Sequence, residues 1–417
     1  MEKTRSGAWT LRYTLLNATY FVAFCTIHAC ASVYLLANGF TNTEIGVLLA
    51  VANIVSALFQ PAIASVIDKG GALTNRRFIL LSVLIILAGS VVLLFSASKA
   101  LVIFPVFALI YMIQFAYQPV MTALCFEYQK AGCKITYGLA RGLGSASFAF
   151  TSAFIGHGVE AFGVKLLLYV NIVTMAVSAV LIYTFKKPAT KPEKEEALTE
   201  KAPSSDEKPK GGLLHFAKNY PAFSVFLVGV VCFFFAHNMI NDFMIQIIRN
   251  LGGGERELGY ANFLQAILEL PVMALIPLVF KKIHPRILLI LSGSAFLVKI
   301  AILIFAGNMA HMYLSQSFQL LAYAVFIPAA AYYVSQTMDE HDQVKGQAFV
   351  TSAITLGGVF SNLVSGVILD NFGIRPMLIT GTVVCAIGVV IATVAMTKMK
   401  ARAHRSDDEK KPAAPLQ

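Results

Sequence analysis

Apolar residues fall in twelve blocks along the chain, near 12–37, 45–66, 78–97, 101–124, 138–157, 164–185, 221–248, 258–280, 286–306, 311–336, 346–368 and 376–397. At 1.5 Å rise per residue, each is long enough to cross a ~30 Å hydrocarbon layer as a helix. Segments spanning lipid must satisfy their own backbone, and continuous apolar blocks of this length do so as helices. The pattern therefore predicts an all-α membrane protein of twelve transmembrane helices. The separators are short polar turns, with one exception. Residues 186–218 are dominated by Lys, Glu, Pro and Ser, too polar to offset the entropy of ordering, and read as a flexible cytoplasmic linker. The expected organisation is an N-terminal six-helix bundle at 1–185, the linker at 186–218, a C-terminal six-helix bundle at 219–398 and a cytoplasmic tail at 399–417.

Composition agrees. Of 417 residues, 57% are hydrophobic and 13% charged, against about 45–50% and about 25% in soluble domains. The net charge of +11 raises the question of nucleic acid, but no basic cluster is interleaved with aromatics. Instead, 26 of the 33 Lys and Arg residues lie in the termini, the linker and alternate turns, all on one side of a twelve-span chain. The positive-inside rule makes that side cytoplasmic, with both termini on it, and the location a cell membrane, a bacterial inner membrane in expectation. Lys3, Arg5 and Arg12 before the first block, with Ala29-Cys30-Ala31 at its far end, resemble a cleavable signal. Removing that block would leave eleven and destroy the charge asymmetry, so it is read as span one. The six cysteines have no paired spacing and read as reduced thiols, without a zinc pattern. No cofactor or metal is expected. No nucleophile–base set or Gly-x-x-x-x-Gly-Lys-(Ser/Thr) loop occurs, which argues against an enzyme and an ATP-driven pump.

The halves look related. Gly156-x-x-x-Glu160-x-Phe162-Gly163 closes span five and Gly366-x-x-x-Asp370-x-Phe372-Gly373 closes span eleven. Glu44-Ile45-Gly46 leads into span two and Glu257-Leu258-Gly259 into span eight. Both matches share an offset near 210 residues. This is a parallel repeat of six-span units, a symmetry that places a solute site between the halves near the midplane.

On these features the chain resembles the major facilitator superfamily over nearly its whole length. The resemblance implies two six-helix bundles rocking about a central cavity. The family's Gly-x-x-x-Asp-(Arg/Lys)-x-Gly-(Arg/Lys)-(Arg/Lys) motif falls at Ala64-Ser65-Val66-Ile67-Asp68-Lys69-Gly70-Gly71, with Arg76-Arg77 displaced by an insertion. It implies a conformational latch at Asp68 and Lys69. Tyr137-Gly138-Leu139-Ala140-Arg141-x-x-Gly144 is similar to the oligosaccharide and nucleoside proton symporter branch, to which lactose permease belongs. There Arg141 falls on a sugar-binding arginine, Phe148 on a stacking Trp, and Val298-Lys299-Ile300 on a Val-Arg-Ile of span nine. The departures are Thr122 where the arginine's carboxylate partner belongs, with Glu127 the nearest acid, and Phe326 in place of a span-ten proton-carrying Glu.

Read physically, charges deep in lipid mark cavities and partners. Glu269 and Lys299 lie at matching depth in adjacent antiparallel spans, and read as a buried pair. Glu269 is either the proton carrier or a fixed structural partner of Lys299. In span seven, His237 and Asn241, and Asn238 and Asp242, are i,i+4 pairs. With His28 and Asn53 they read as cavity lining or as interhelical hydrogen bonds, and Asp242 as a further coupling acid. Arg141 is either a solute ligand or an interfacial anchor paired with Glu127. The expected function is a secondary active transporter for a small polar solute (a sugar, glycoside or nucleoside), by proton symport with alternating access. The alternative is an exporter or antiporter of a drug, metabolite or organic anion on the same fold, the anion being suggested by two cavity cations, Arg141 and Lys299. The expected partners are the solute, the proton and the lipid bilayer, with no nucleic acid, and the protein is expected to be a monomer.

Overall fold

The structure, a computed structural model, describes residues 2–69, 71–96, 99–187 and 218–409. Most of the expected linker and the end of the tail therefore lie outside the described residues. Every apolar block is helical, and no strand occurs among the described residues. Helix α1 (Glu2–Phe24) runs through a π-turn (Cys25–Ala29), then bends by 49° into Ala31–Ala37. It is followed by α2 (Asn42–Asp68), α3 (Asn75–Phe95), α4 (Phe104–Lys130, preceded by a π-turn at Lys99–Ile103), α5 (Tyr137–Phe162) and α6 (Lys165–Thr184). The second half holds α7 (Pro221–Asp242, resuming as Met244–Asn250), α8 (Glu255–Val279) and α9 (Pro285–Ile304). Helix α10 is in two pieces (Met309–Ser317 and Tyr323–Thr337) joined by a 3-10 turn at Phe318–Leu320, and α11 (Glu340–Phe372) and α12 (Ile374–Glu409) complete the chain.

Among the described residues nine helices are individually long and apolar enough to cross a membrane, ten if bent α1 counts as one span. The two remaining, α5 and α8, pack against each other between the halves. Packing within each half follows one plan. Helix α1 lies on α5 and α6, α2 on α4, and α3 on α4 and α6; α7 lies on α11 and α12, α8 on α10, and α9 on α10 and α12. The helix ends repeat too. Arg76, at the start of α3, donates to the carbonyls of Ile182 and Tyr183 that end α6 (3.0 and 2.7 Å), and Arg286, starting α9, donates to Met396 O in α12 (3.4 Å). Arg76 is thus used as a helix cap. The Asp68 side chain lies outside the described set. Lys69 is exposed and joins none of the ion pairs among the described residues.

The halves meet along α2/α11 and α5/α8, at the end opposite the basic turns, called the outer end here. The repeated glycines make this possible. A Cβ on Gly46 would collide with the Asn362 backbone, on Gly366 with Asn42, on Gly156 with Glu255, and on Gly259 with Ser152. Small residues let helix backbones touch, which is the main source of helix affinity in lipid. Above each contact, an acid from one half caps a helix of the other. Asp370 accepts from Asn42 N (3.1 Å), Asn42 Nδ2 (2.8 Å) and Thr43 N (2.7 Å) at the start of α2. Glu160 accepts from Arg256 N (3.1 Å) at the start of α8. A carboxylate on free amides at the positive end of a helix is stabilised by both hydrogen bonding and the dipole. The sequence repeat is therefore one clasp, built twice.

Because the clasp rests on bare backbone, a side chain there should pry the halves apart. In a Gly156→Leu protein, a cysteine placed at Asn238 should react with an impermeant thiol reagent added from the outer side about tenfold faster than with Gly156 intact, the effect of a ~1.4 kcal/mol shift between states. Equal labelling rates would mean that this seam does not control outer closure.

Candidate solute site between the two bundles

Just inward of the seam the halves diverge around a cavity of about 600 Å³. Its position follows from the register. The seam uses residues 46, 156, 259 and 366, and the lining begins one to two turns further along each helix, at Asn53 in α2, Phe148 in α5, Asn262 in α8 and Gly358 in α11. With the outer end shut, the cavity faces the end that bears the basic turns.

The wall from the first half sets an aromatic group beside Asn53, Ser56, Gln60, Gln118 and Thr122. His28, at the π-turn of α1, stacks on Phe24 (4.2 Å between ring centroids, 8°), lies 3.8 Å from Tyr111 and meets the edge of Phe115 at 4.5 Å. Phe148 extends this group 6.2 Å from Phe24. Neither nitrogen of His28 has a hydrogen-bond partner. The facing wall is amide and hydroxyl: Asn238, Asn241 and Asp242 of α7, Asn262 and Gln265 of α8, and Thr351, Ser352 and Thr355 of α11. Asn241 Oδ1 and Gln265 Oε1 are buried without partners. Sites that recognise small polar solutes have this character, with apolar surface for area and a few placed polar groups for orientation.

Of the residues singled out in the sequence, His28, Asn53, Phe148, Asn238, Asn241 and Asp242 line this cavity. His237 stands behind the wall. It stacks on Tyr323 (5.3 Å, 17°), and its Nε2 accepts from Asn241 Nδ2 (2.9 Å), so it orients Asn241. Arg141 is also off the lining. Its Nη1 donates to Ser145 Oγ (2.7 Å), and the guanidinium lies 4.4 Å over the Phe21 ring. It is not the anchor paired with Glu127, which instead accepts from Asn75 Nδ2 (2.9 Å) and pairs with Lys187 (3.1 Å). The expectation of two cavity cations fails as well. Lys299 is wholly buried, and no Lys or Arg lines the cavity among the described residues.

The expected direct pair of Glu269 and Lys299 is corrected. Lys299 Nζ donates to Gln319 Oε1 (2.8 Å), and Gln319 Nε2 donates to Glu269 Oε1 (2.8 Å). The 3-10 turn that interrupts α10 inserts Gln319 between α8 and α9, and one amide serves both charges. Bridging satisfies a buried ammonium and a half-buried carboxylate, of which the ammonium would otherwise be very costly. Glu269 lies one turn from Gln265 on the same face of α8 and is half-buried. Sequence reasoning passed over Gln319, Tyr111, Gln118, Asn262, Gln265, Thr351 and Thr355. The signal that finds most of them is polar residues at helical spacing inside apolar blocks, as at Gln114 and Gln118 or Thr351 and Thr355.

Comparison with known proteins agrees with this architecture. No curated protein matches the sequence significantly. A single-residue variant of the nucleoside transporter NupG superposes with a TM-score of 0.76 at 15% identity, covering 93% of this chain and 99% of that one. Unaltered NupG gives 0.72 at 15%, covering 94% and 99%. A bacterial homologue of the human lysosomal transporter Spinster, inward-facing and unoccupied, gives 0.68 at 12%, covering 94% and 97%. At these identities the likeness is one of fold. The model of the MFS_1 like family matches residues 13–380, most of the chain, so this protein belongs to that family and is a multi-pass membrane transporter of the major facilitator fold.

Proposed function

We propose that the protein is a proton-coupled symporter for a neutral, ring-bearing polar solute, a nucleoside or glycoside, working by alternating access. The observation that carries this is the cavity wall. Stacked aromatics face a bank of amides and hydroxyls, and no fixed cation stands among the described lining residues. Aromatic faces suit a flat ring, whether a base or the apolar face of a sugar. Amides that both donate and accept suit hydroxyls and base edges. The fold shared with a nucleoside transporter supports the same reading. An organic-anion carrier would need a cationic ligand on this wall.

For coupling, the antiparallel register of α5 and α8 is informative. Gly156 faces Glu255 and Ser152 faces Gly259, and the same register continued inward brings Gly142 and Arg141 opposite Glu269. In this state the seam is splayed there, and Gln319 holds Glu269. We infer that closing the inner end brings the Arg141 guanidinium onto the Glu269 carboxylate, a geometry suited to bidentate pairing. Protonating Glu269 from the outer side removes that attraction and lets the inner end open, so that proton and solute travel together. A ligand moves such an equilibrium only by binding the two states unequally, and a charge that is paired in one state alone meets this requirement. Lys299 then keeps Glu269 positioned through Gln319.

In proteoliposomes, a pH gradient, acidic outside, should accumulate a nucleoside or neutral glycoside but not its carboxylate analogue. Accumulation of the anion instead would contradict the reading of the wall. Glu269→Gln should abolish gradient-driven accumulation while sparing solute exchange; accumulation equal to wild type would make Glu269 purely structural. Gln319→Leu strands both charges, so it should cost about 3–5 kcal/mol and lower the thermal unfolding midpoint in detergent by several degrees. An unchanged midpoint would mean that the amide bridge is not holding them.

A further inference from the structure

Asp242 takes no part in the Glu269 circuit, and its surroundings differ from those of Glu269. It is the last residue of the first segment of α7, at a half-helix C-terminus where backbone carbonyls concentrate negative potential. Its carbonyl accepts a hydrogen bond from Ser32 Oγ in the bent part of α1. None of the ion pairs among the described residues includes Asp242. Helix α11 runs beside this break. Gly358 abuts the Asn238 amide, and one turn further Asn362 stands beside the Asp242 carboxyl. Asn362 is fully buried, and neither amide atom completes a hydrogen bond. Ser361 and Ser365 flank it on α11, also fully buried, with unpartnered hydroxyls. One turn past the break, Gln246 donates to Asn42 (2.9 Å), while its own Oε1 is buried without a partner.

A half-buried carboxylate without an ion-pair partner among the described residues, beside an amide and two hydroxyls of α11 that complete no hydrogen bond, calls for a specific occupant. A proton on Asp242 would neutralise the charge and supply a single donor, leaving the remaining oxygens as they are. A metal cation takes the carboxylate, amide and hydroxyl oxygens together, leaving Asn362 Nδ2 and the hydroxyl protons as donors. The donors are carboxylate, amide and hydroxyl oxygens, the set chosen by hard ions. His28 of α1 and Tyr111 of α4 are the titratable side chains sharing the region. A single carboxylate balances one positive charge, so a monovalent ion leaves the site neutral. Broken helices whose half-helix ends coordinate Na⁺ are a general device of transporters. We propose that Asp242, Asn362, Ser361, Ser365 and Gln246 form a binding site for Na⁺ at the break in α7. Because Asp242 also lines the solute cavity, the ion sits at the edge of the solute and acts as a second coupling ion. Binding of the ion stands alone, whereas its coupling role rests on the transporter reading above.

The full chain in detergent provides the test. At fixed pH and ionic strength, replacing choline with Na⁺ should raise the thermal midpoint saturably, by about 2 °C for each tenfold excess over the dissociation constant, and K⁺ should not. Ser361→Ala with Ser365→Ala, a change that removes only two hydroxyls, should weaken the Na⁺ response at least about tenfold, and Asp242→Asn should abolish it. A rise equally produced by K⁺, or a Na⁺ response unchanged in both variants, would overturn the site. In proteoliposomes without a pH gradient, an inward Na⁺ gradient should drive uridine uptake that the serine variant loses. Uptake driven by pH and indifferent to Na⁺ would overturn the coupling role and leave the transporter reading standing. No uridine uptake under any gradient, with Na⁺-specific stabilisation retained, would support the site and overturn the nucleoside reading.

Discussion

Two helix bundles in lipid gain nothing by burying apolar side chains against each other, because the solvent is as apolar as the core. What holds these two together is backbone contact, and backbone contact requires glycine. Gly46, Gly156, Gly259 and Gly366 bring α2 to α11 and α5 to α8. Asp370 and Glu160 then close the outer ends through the free amides of the opposite half. Everything inward of this clasp follows from it. The helices diverge from a fixed point, so the cavity appears at a set depth, and the register that leaves the clasp decides which side chains face each other below it. A contact confined to one end, made of small residues and a few hydrogen bonds, is also one that can be released. Two-state rocking needs that property more than it needs strength.

Polar groups inside the bundle are arranged around interruptions in the helices. The π-turn of α1 carries His28, the break in α7 follows Asp242, and the 3-10 turn of α10 carries Gln319. Each interruption frees backbone groups at membrane depth, which is tolerated only where protein or a wet cavity receives them. The three interruptions therefore mark the functional interior as clearly as the charges do. They also separate two chemistries. At Glu269 polar atoms are joined, through one amide, into a neutral unit with Lys299. Around Asp242 they are unpaired and oxygen-rich.

The fold was legible in the sequence because its signals are long. Blocks of twenty apolar residues, and a repeat recurring near 210 positions, survive uncertainty at the level of single residues. The repeated Gly156/Gly366 and Glu160/Asp370 were visible as a pattern, but their purpose was not. Their partners are backbone groups of Asn42, Thr43, Glu255 and Arg256, and backbone leaves no trace in composition. The site was legible in part for a related reason. Ionisable residues in apolar blocks stand out, so Asp242, Glu269, Lys299 and Arg141 were all singled out. Matching depth correctly set Glu269 and Lys299 near each other. It could not show that a broken α10 slides Gln319 between them, since one glutamine in span ten carries no signal of a turn. Arg141 reads from the sequence as a solute ligand or an interfacial anchor because depth says nothing about helix rotation, and the structure turns it onto Phe21 and Ser145. The amides Asn262 and Gln265 are neutral and so were passed over, though they supply much of the wall.

If the clasp is an outer gate that releases as the inner end closes, opening one end must close the other. Spin labels at Phe162 and Phe372, exposed at the outer ends of α5 and α11, report one gap; labels at Leu139 and Val344, exposed at the inner ends of the same helices, report the other. Distances measured by pulsed electron resonance in lipid, with and without a saturating nucleoside or glycoside under a pH gradient, test the scheme directly. The expected result is reciprocal change, with a population in which the outer distance lengthens while the inner one shortens. Solute binding with both distances unchanged, or both ends widening together, would contradict two rocking bundles gated on the outer side by a glycine seam.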